Sequence, residues 1–177
     1  MSKLHIILSF ILLTLNSPLV FSQAKLSQEK TTELVNKNEF TFHATRANPM
    51  NFDVIRVMNS IPNSGAARIL ELNDPNYLIE IKNDKIEVIL PYFGRVFNAS
   101  YGDSDKNSYR FTSKDFTIKK EQNKKGKWTI NILPKDVDHV SNIILEVFKN
   151  GKTYVSFKSD DRQPITYDGY ITTNEIN

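Results

Sequence analysis

Apolar and polar residues alternate with a period of two along most of the chain after residue 39. Phe40, Phe42 and Ala44, for example, alternate with polar neighbours, which is typical of a half-buried strand. Residues 26–37 instead carry a thin apolar stripe at helical spacing, and Ser27 is placed to cap its start. The pattern therefore predicts one opening helix followed by strands.

Two hairpins can be paired from the pattern and the turn residues together. In residues 77–90, a two-residue loop at Asn83-Asp84 makes one face of the pair wholly apolar. In residues 116–133, a five-residue loop aligns the apolar positions, whereas a four-residue loop would leave them facing polar residues. These loops predict five facing pairs: Ile81 with Ile86, Ile79 with Val88, Tyr77 with Leu90, Ile118 with Ile132, and Lys120 with Ile130.

A third hairpin turns at Asn150-Gly151, the strongest short turn signal in the chain. As a two-residue loop, it predicts that Val147 faces Tyr154. Residues 51–67 show no clear period, so no element is predicted there. Taken together, these features predict a single α+β domain over residues 23–177. It has an N-terminal helix and about eight mostly antiparallel strands that form a curved sheet or partly open barrel.

Residues 1–22 have the pattern of a secretory signal peptide. Lys3 is followed by an apolar run over residues 4–15, and cleavage is predicted before Gln23. The run is too short to span a bilayer, for which about 20 residues are needed. A lipoprotein would need a cysteine at the cleavage site, and the sequence has none. The chain is therefore predicted to be exported and periplasmic or secreted, without a lipid anchor or a membrane span in its mature part.

Composition places the chain among folding globular proteins and removes several kinds of chemistry. Of its 177 residues, 40% are hydrophobic and 24% are charged, and the formal net charge is +3. This profile excludes disordered and multi-span membrane proteins. The absence of cysteine excludes disulfides and thiol nucleophiles. The sequence contains no zinc motif, nucleophile elbow or phosphate-binding glycine loop, so no metal or cofactor is predicted.

Two charged segments imitate functional motifs without completing them. Residues 103–107 resemble the opening of a calcium loop, but Ser108 and Lys114 stand where the turn glycine and the bidentate glutamate are required. Five lysines crowd one predicted hairpin without the interleaved aromatic residues of a nucleic-acid interface: Lys119, Lys120, Lys124, Lys125 and Lys127. We interpret the first segment as a polar loop and the second as a solvated tip that discourages edge pairing. No nucleic-acid partner is predicted.

Several proline-containing segments do not follow from the strand pattern. They are R-A-N-P at residues 46–49, L-P-Y-F-G-R at 90–95, L-P-K-D-V at 133–137 and R-Q-P-I at 162–165. In this order they resemble the DUF4251 family, and the resemblance extends over about residues 33–171. It implies a small exported bacterial domain of unknown function, of a kind found mainly in Bacteroidetes, and it supplies no catalytic residues. The segment 51–68 is longer than the link usual in that family.

Three of these segments also suggest a ligand site. Each joins a proline, which stiffens a loop, with an arginine, whose planar fork suits carboxylate or phosphate groups. We hypothesise that five residues line one cleft for a polar ligand such as a glycan, a peptide or an anionic small molecule: Arg46, Tyr92, Arg95, Arg162 and Gln163. The three guanidinium groups would then lie within about 10 Å of each other, inside one screening length. The alternative is that the arginines pair with acidic residues and fix strand ends.

Three classes of function follow from these residues. A non-catalytic exported binding module is favoured, because the motif residues are arginines and aromatics rather than nucleophiles or bases. A structural or protein-interaction domain of the cell envelope is the alternative, and it would show a flat apolar patch or an unpaired sheet edge. A hydrolase is the third class and would show two carboxylates about 5–10 Å apart in a cleft.

Overall fold

Strands are the predominant secondary structure in the computed structural model, which describes residues 26–62, 70–97 and 108–174. The predicted signal peptide at residues 1–22 and the imitation calcium loop at residues 103–107 lie outside the described residues. Two helices and nine strands form within the described ranges. In chain order they are α1 (Gln28–Lys37), β1 (Phe40–Pro49), α2 (Phe52–Ser60), β2 (Leu78–Ile81), β3 (Ile86–Pro91), β4 (Ser108–Ser113), β5 (Phe116–Gln122), β6 (Trp128–Pro134), β7 (Val140–Val147), β8 (Lys152–Ser159) and β9 (Ile165–Thr172).

All nine described strands belong to one antiparallel sheet in the order β4-β3-β2-β1-β9-β8-β7-β6-β5. The two edge strands, β4 and β5, are consecutive in the chain and are joined only by Lys114 and Asp115. In a flat sheet these edges would be about 38 Å apart, because neighbouring strands lie about 4.8 Å from each other. Three Cα steps span at most about 11 Å. The sheet therefore curls into a nearly closed barrel, which confirms the predicted fold class.

Asp136 holds the corner at which the two edge strands meet. Its carboxylate accepts hydrogen bonds from the hydroxyl of Ser113 and from the backbone N–H groups of Lys114 and Asp115, the last two at 2.7 and 3.1 Å. These bonds lower the pKa of Asp136 from 3.8 to about 2, with the bond from Ser113 as the largest cause. The L-P-K-D-V segment thus has a structural role in closing the barrel.

This corner predicts an acid-sensitive contribution to stability. Because the folded pKa of Asp136 lies below its ordinary value of 3.8, the contribution is complete above that pH and is lost as the pH falls towards 2. We expect Asp136→Asn to lower the urea midpoint at pH 6. Below pH 3 the midpoint of the variant should approach that of the parent protein. The control is Asp115→Asn, since Asp115 is exposed and its side chain, among the described residues, contacts Lys135 at 3.3 Å. Equal losses in the two variants would contradict this role.

Side chains fill the interior of the curved sheet. Alternate residues of β3, β7, β8 and β9 are buried, as the period of two predicts. Aromatic rings from non-neighbouring strands meet inside, where Tyr109 of β4 stacks on Phe157 of β8 with ring centroids 4.2 Å apart. The rings of Tyr167, on β9, and Phe157 pack edge to face, with centroids 6.0 Å apart. A packed core of this kind leaves the outer face and the ends of the sheet as the places to search for a site.

Helix α1 has the predicted cap and connects distant strands. The hydroxyl of Ser27 accepts a hydrogen bond from the N–H of Lys30 at 3.1 Å, and the helix ends at Asn38 in the left-handed conformation with φ 54°. The ammonium of Lys120, on β5, donates to the last-turn carbonyls of Val35 and Asn36, both at 3.0 Å. Lys120 is therefore a helix-capping residue rather than part of a solvated lysine tip.

Two of the three predicted hairpin registers are confirmed, and the third is wrong by one residue. Ile81 pairs with Ile86, and Ile118 pairs with Ile132, as predicted. In the third hairpin Val147 pairs with Thr153 rather than with Tyr154. Gly151, with a φ of 82°, is the last residue of a three-residue loop. Phe148 and Lys152 flank this loop and form the last hydrogen-bonded pair of the two strands. The extra loop residue shifts the register by one and places Tyr154 on the outer face.

Helix α2 occupies part of the segment for which no element was predicted. Asn51 caps its start, because the side-chain oxygen of Asn51 accepts a hydrogen bond from the N–H of Asp53 at 2.9 Å. The helix is exposed along one side, where Val57 is 61% exposed. Arg56 and Asn59 are exposed as well.

Candidate functional site

Arg162 lies at the centre of a closed cluster at one end of the sheet, which we call the Arg162 clasp: Arg162, Asp161, Tyr92 and Tyr109. The side chain of Arg162 is only 3% exposed. Its Nε and Nη2 donate to the two carboxylate oxygens of Asp161 at 3.0 and 2.9 Å, and Nη1 donates to the carbonyl of Ser108 at 3.1 Å. The guanidinium carbon lies 5.1 Å from the ring centroid of Tyr92 and 4.7 Å from that of Tyr109. Both distances are within cation–π range.

Two of the proline-containing loops are joined beside this clasp. The N–H of Gln163 donates to the carbonyl of Arg95 at 3.0 Å, and the N–H of Arg95 donates to the side-chain oxygen of Gln163 at 3.3 Å. The Tyr92 hydroxyl lies 3.0 Å from the carbonyl oxygens of both residues. Because the loops follow β3 and precede β9, which are three positions apart in the sheet, these bonds cross the end of the barrel.

Burial and pairing together determine the charge states in the clasp. Burial raises the pKa of Tyr109 to about 12 and also raises the pKa of Tyr92. Burial alone would raise the pKa of Asp161, but the hydrogen bonds and charge of Arg162 outweigh it and lower that pKa. The same pairing raises the pKa of Arg162 against the effect of its burial. The ion pair therefore stays charged, and both tyrosines stay neutral, at any physiological pH.

The structure brings four of the five predicted site residues together: Tyr92, Arg95, Arg162 and Gln163. Their roles here are mainly internal, since Arg95 joins the cluster through its backbone and the fork of Arg162 is already occupied. Arg162 thus matches the alternative in which an arginine pairs with an acidic residue and fixes strand ends. Arg46 is not part of this cluster. It lies on the outer face of β1 and lines a different cavity.

A cavity of about 790 Å³, which we call the outer cavity, opens on the outer face of β1, β8 and β9. Four charged residues and one tyrosine contribute to its lining: Arg46, Glu71, Lys152, Asp168 and Tyr170. A β-bulge in β1 between Ala44 and Arg46 helps to form it. The bulge turns Thr45 and Arg46 outwards in succession, and the Thr45 hydroxyl donates to the carbonyl of Asp168 at 3.2 Å.

Arg46 has a carboxylate-bearing neighbour on each side. It lies opposite Asp168 in the β1–β9 pair and opposite Glu71 in an isolated bridge. Two strand spacings separate the backbones of Glu71 and Asp168 by about 10 Å. Within the described ranges, neither Arg46 nor either carboxylate belongs to an ion pair. Within these ranges, Arg46 and the two carboxylates are therefore not held in ion pairs with one another.

Tyr170 forms an aromatic surface at the edge of this cavity. Its ring stacks on the ring of His43, with centroids 5.4 Å apart and planes inclined by 23°. The Nε2 atom of His43 lies 3.1 Å from the hydroxyl oxygen of Thr172, which fixes the imidazole against the tyrosine. Both rings project from the outer face of adjacent strands, because Tyr170 and His43 are direct register partners.

The described residues form neither a metal-binding cluster nor a membrane-spanning helix. In residues 26–62, 70–97 and 108–174, no group of three or more histidine, aspartate or glutamate side chains is arranged to hold a metal ion. No helix in these ranges combines the length and apolar character needed to cross a bilayer.

The matched family covers almost all of the chain that the structure describes. The family model of DUF4251, a domain of unknown function, matches residues 22–171. The chain belongs to the DUF4251 family. This confirms the resemblance carried by the proline-containing segments.

A crystal structure of a DUF4251 family protein from Bacteroides eggerthii DSM 20697 is similar to the fold described above. The two chains are 13% identical with a TM-score of 0.53, and the alignment covers 86% of this chain and 91% of the other. At this identity the similarity concerns the fold alone. No curated protein matches the chain.

Sequence reasoning found only one residue of the outer cavity in this DUF4251 domain, namely Arg46. It missed Glu71, Lys152, Asp168 and Tyr170. A partial signal exists for the last two, because polar side chains at alternate positions of a strand face outwards. No local pattern places Glu71 beside them, since its bridge to β1 follows a long connection in the chain.

Proposed function

We propose that this DUF4251 protein is an exported, non-catalytic binding protein whose ligand occupies the outer cavity. The observation that carries the proposal is the set of charged side chains around a cavity of about 790 Å³, where Arg46 lies between Glu71 and Asp168 without an ion pair among the described residues. Concave sites with a few converging polar groups are the usual form of small-ligand sites. Export is supported by the signal pattern of residues 1–22.

The lining of the cavity favours a polar ligand that both donates and accepts hydrogen bonds. Arg46 and Lys152 are donors, and the carboxylates of Glu71 and Asp168 are acceptors. Tyr170 adds an apolar ring face with a polar tip, a combination common at binding surfaces. A ligand with only one kind of polar group would leave half of this lining without a partner.

A thermal-shift screen of the purified protein tests this proposal. The probes are neutral oligosaccharides, acidic oligosaccharides, short peptides and sugar phosphates. A ligand at 100 times its dissociation constant stabilises the folded state by about 2.7 kcal/mol. For a domain of this size that corresponds to a rise in Tm of roughly 5–10 °C. We expect Arg46→Ala and Asp168→Ala each to abolish most of this ligand-induced rise in Tm. The Tm of each variant without ligand should fall by much less than the rise that is lost.

Asp138→Ala provides the matched control, because Asp138 is an exposed carboxylate that lines a separate hollow beside β7. It should leave the ligand-induced rise unchanged. A rise that persists in both outer-cavity variants, or the lack of any rise across the four probe classes, would refute the proposed site. N-terminal sequencing of the secreted protein checks export separately, since processing as proposed leaves Gln23 as the first residue.

The alternative, a protein-interaction domain, is supported by a different surface. Met50, Val57 and Ile61 are 66%, 61% and 47% exposed, and all three lie within or beside α2. Exposed apolar side chains that cluster in this way are typical of association surfaces. Sedimentation of the purified protein distinguishes the two functions: association that depends on concentration and is lost in Val57→Ser would favour the interaction domain.

A further inference from the structure

The outer cavity continues into a longer groove. A second hollow of about 490 Å³ shares Thr45, Glu71 and Tyr170 with it, and a third of about 430 Å³ shares His43 and Pro75 with the second. The groove crosses the outer face from Lys152, on β8, to Glu87, on β3. Four strand spacings separate these two strands in the sheet, or about 19 Å. A ligand that fills it is elongated.

Charged residues of both signs line this groove, and the second hollow adds the exposed carboxylate of Asp74. At its β8 end, Arg46 and Lys152 lie beside Glu71 and Asp168. At its β3 end, two cross-strand glutamates are neutralised by two lysines: Lys82 contacts Glu80 at 2.8 Å, and Lys85 contacts Glu87 at 2.8 Å and Glu80 at 3.6 Å. The carboxylates would repel a polyanionic ligand, and the cations would repel a polycationic one. A neutral ligand rich in hydroxyl groups meets neither penalty, because a hydroxyl both donates and accepts.

The stacked pair of Tyr170 and His43 lies where the first two hollows meet. The flat ring of Tyr170 has an apolar face, which suits the C–H face of a pyranose ring. Carboxylate and guanidinium groups beside it are placed to bond the hydroxyls at the rim of such a ring. The groove therefore offers the two kinds of contact that a sugar ring presents, apolar on its faces and polar around its edge.

An extended peptide is the main competing occupant, and the topology does not favour it. Peptides that bind to sheets commonly add a strand to a free edge. Here β1 lies in the interior of the sheet, and its backbone is paired with β2 on one side and with β9 on the other. A peptide in the groove would have to bind through side chains alone, without the main-chain hydrogen bonds that usually supply its affinity.

We propose that the groove formed by the three hollows binds a neutral oligosaccharide across the outer face of the sheet, with a sugar ring stacked on Tyr170. This inference rests on the proposed function and narrows it to one class of ligand. Two carboxylates in one cleft, Glu71 and Asp168, are also what the hydrolase class requires, so release of reducing ends is measured alongside binding. The inference is that the protein holds the sugar without cleaving it. Glu71 and Asp168 act as hydrogen-bond acceptors for hydroxyl groups.

The test is isothermal titration of the purified protein with neutral oligosaccharides of three to six units, and with acidic oligosaccharides of matched length. We expect the neutral series to bind, with affinity that rises with chain length. Tyr170→Ala should weaken binding at least roughly tenfold, as expected for loss of an aromatic anchor. Tyr170→Phe should retain most of the affinity, because the ring remains. Lys152→Ala replaces an exposed residue of the groove and should also weaken binding, so it tests the placement even if Tyr170→Ala does not fold. Phe97→Ala removes an exposed aromatic residue outside the groove and is the control.

Each outcome separates this inference from the proposed function. Binding of acidic oligosaccharides that depends on Arg46 would overturn the neutral-sugar assignment and leave the outer cavity as a binding site. Neutral sugars that bind equally well to the parent protein, Tyr170→Ala and Lys152→Ala would overturn the placement. Release of new reducing ends would overturn binding without cleavage and identify a hydrolase. No binding in either series would overturn the neutral-sugar inference, whereas the proposed function is decided by the thermal-shift screen, which also includes peptides and sugar phosphates.

Discussion

Arg162→Ala is expected to lower the free energy of unfolding by about 3–5 kcal/mol, the usual cost of removing one partner of a buried ion pair. The substitution leaves the carboxylate of Asp161 and the carbonyl of Ser108 without the donors they bond at 2.9–3.1 Å. It also empties the space beside the rings of Tyr92 and Tyr109. Because these groups belong to β4 and to the loops after β3 and before β9, one substitution weakens the whole end of the barrel.

Urea unfolding followed by the fluorescence of Trp128, the single tryptophan, measures this loss. Arg162→Lys should fall between the parent and Arg162→Ala, since lysine keeps the charge but lacks the planar fork. Arg95→Ala is the matched control, because Arg95 joins the cluster through its backbone and its side chain is exposed. It should change stability by less than about 0.5 kcal/mol. Losses of similar size in Arg162→Ala and Arg95→Ala would rule out the clasp as a major source of stability.

Gly169→Ala is expected to cost about 3 kcal/mol, at the upper end of the range for overpacked cores. A methyl group at Gly169 would overlap the carbonyl oxygen of His43 and would lie 2.6 Å from Cε2 of Phe42. The carbonyl cannot move away freely, because β1 and β9 are paired along almost their whole length. Asp168 and Tyr170 flank this glycine, so the same substitution should weaken ligand binding in the outer cavity.

Gly126→Ala separates the packing effect from the general cost of replacing glycine. Gly126 has a φ of 83°, but the nearest atoms to an added methyl group are 3.7 and 4.0 Å away. Only the cost of the left-handed conformation applies there, about 1 kcal/mol. Thermal or urea unfolding of both variants provides the comparison. If Gly169→Ala were no less stable than Gly126→Ala, the close contact between β1 and β9 would not be a packing constraint.

Register could be predicted where apolar alternation and turn chemistry agreed. In the hairpin of Ile81 and Ile86, both signals require the same pairing, because a slip of one residue would move the apolar face into water. In the third hairpin the dipeptide Asn150-Gly151 is compatible with loops of two or three residues, and only the φ of Gly151 in the folded chain selects the longer one. A turn motif therefore indicates where a hairpin bends more reliably than how its strands align.

The candidate site was less predictable than the fold, for a similar reason. Motif residues drew attention to Arg162, whose adjacent partner Asp161 already offered a local explanation for the arginine. The outer cavity instead depends on strand order, which places Glu71 and Asp168 on opposite sides of Arg46. Residues 71 and 168 are far apart in the chain, and no local pattern specifies that β1 lies between their segments.

Local periodicity by itself determined the first strand, the strands of the three hairpins, the opening helix and its Ser27 cap, and the proline-containing segments indicated the family. These features depend on interactions between near neighbours in the chain, and side-chain spacing records such interactions directly. Only the tertiary structure decided the order of the nine described strands, the closure at Asp136, the burial of Arg162 and the exposure of Arg46. Those depend on which distant segments pair as the sheet curls, and that choice is made by the packing of the whole core rather than by any one stretch of sequence.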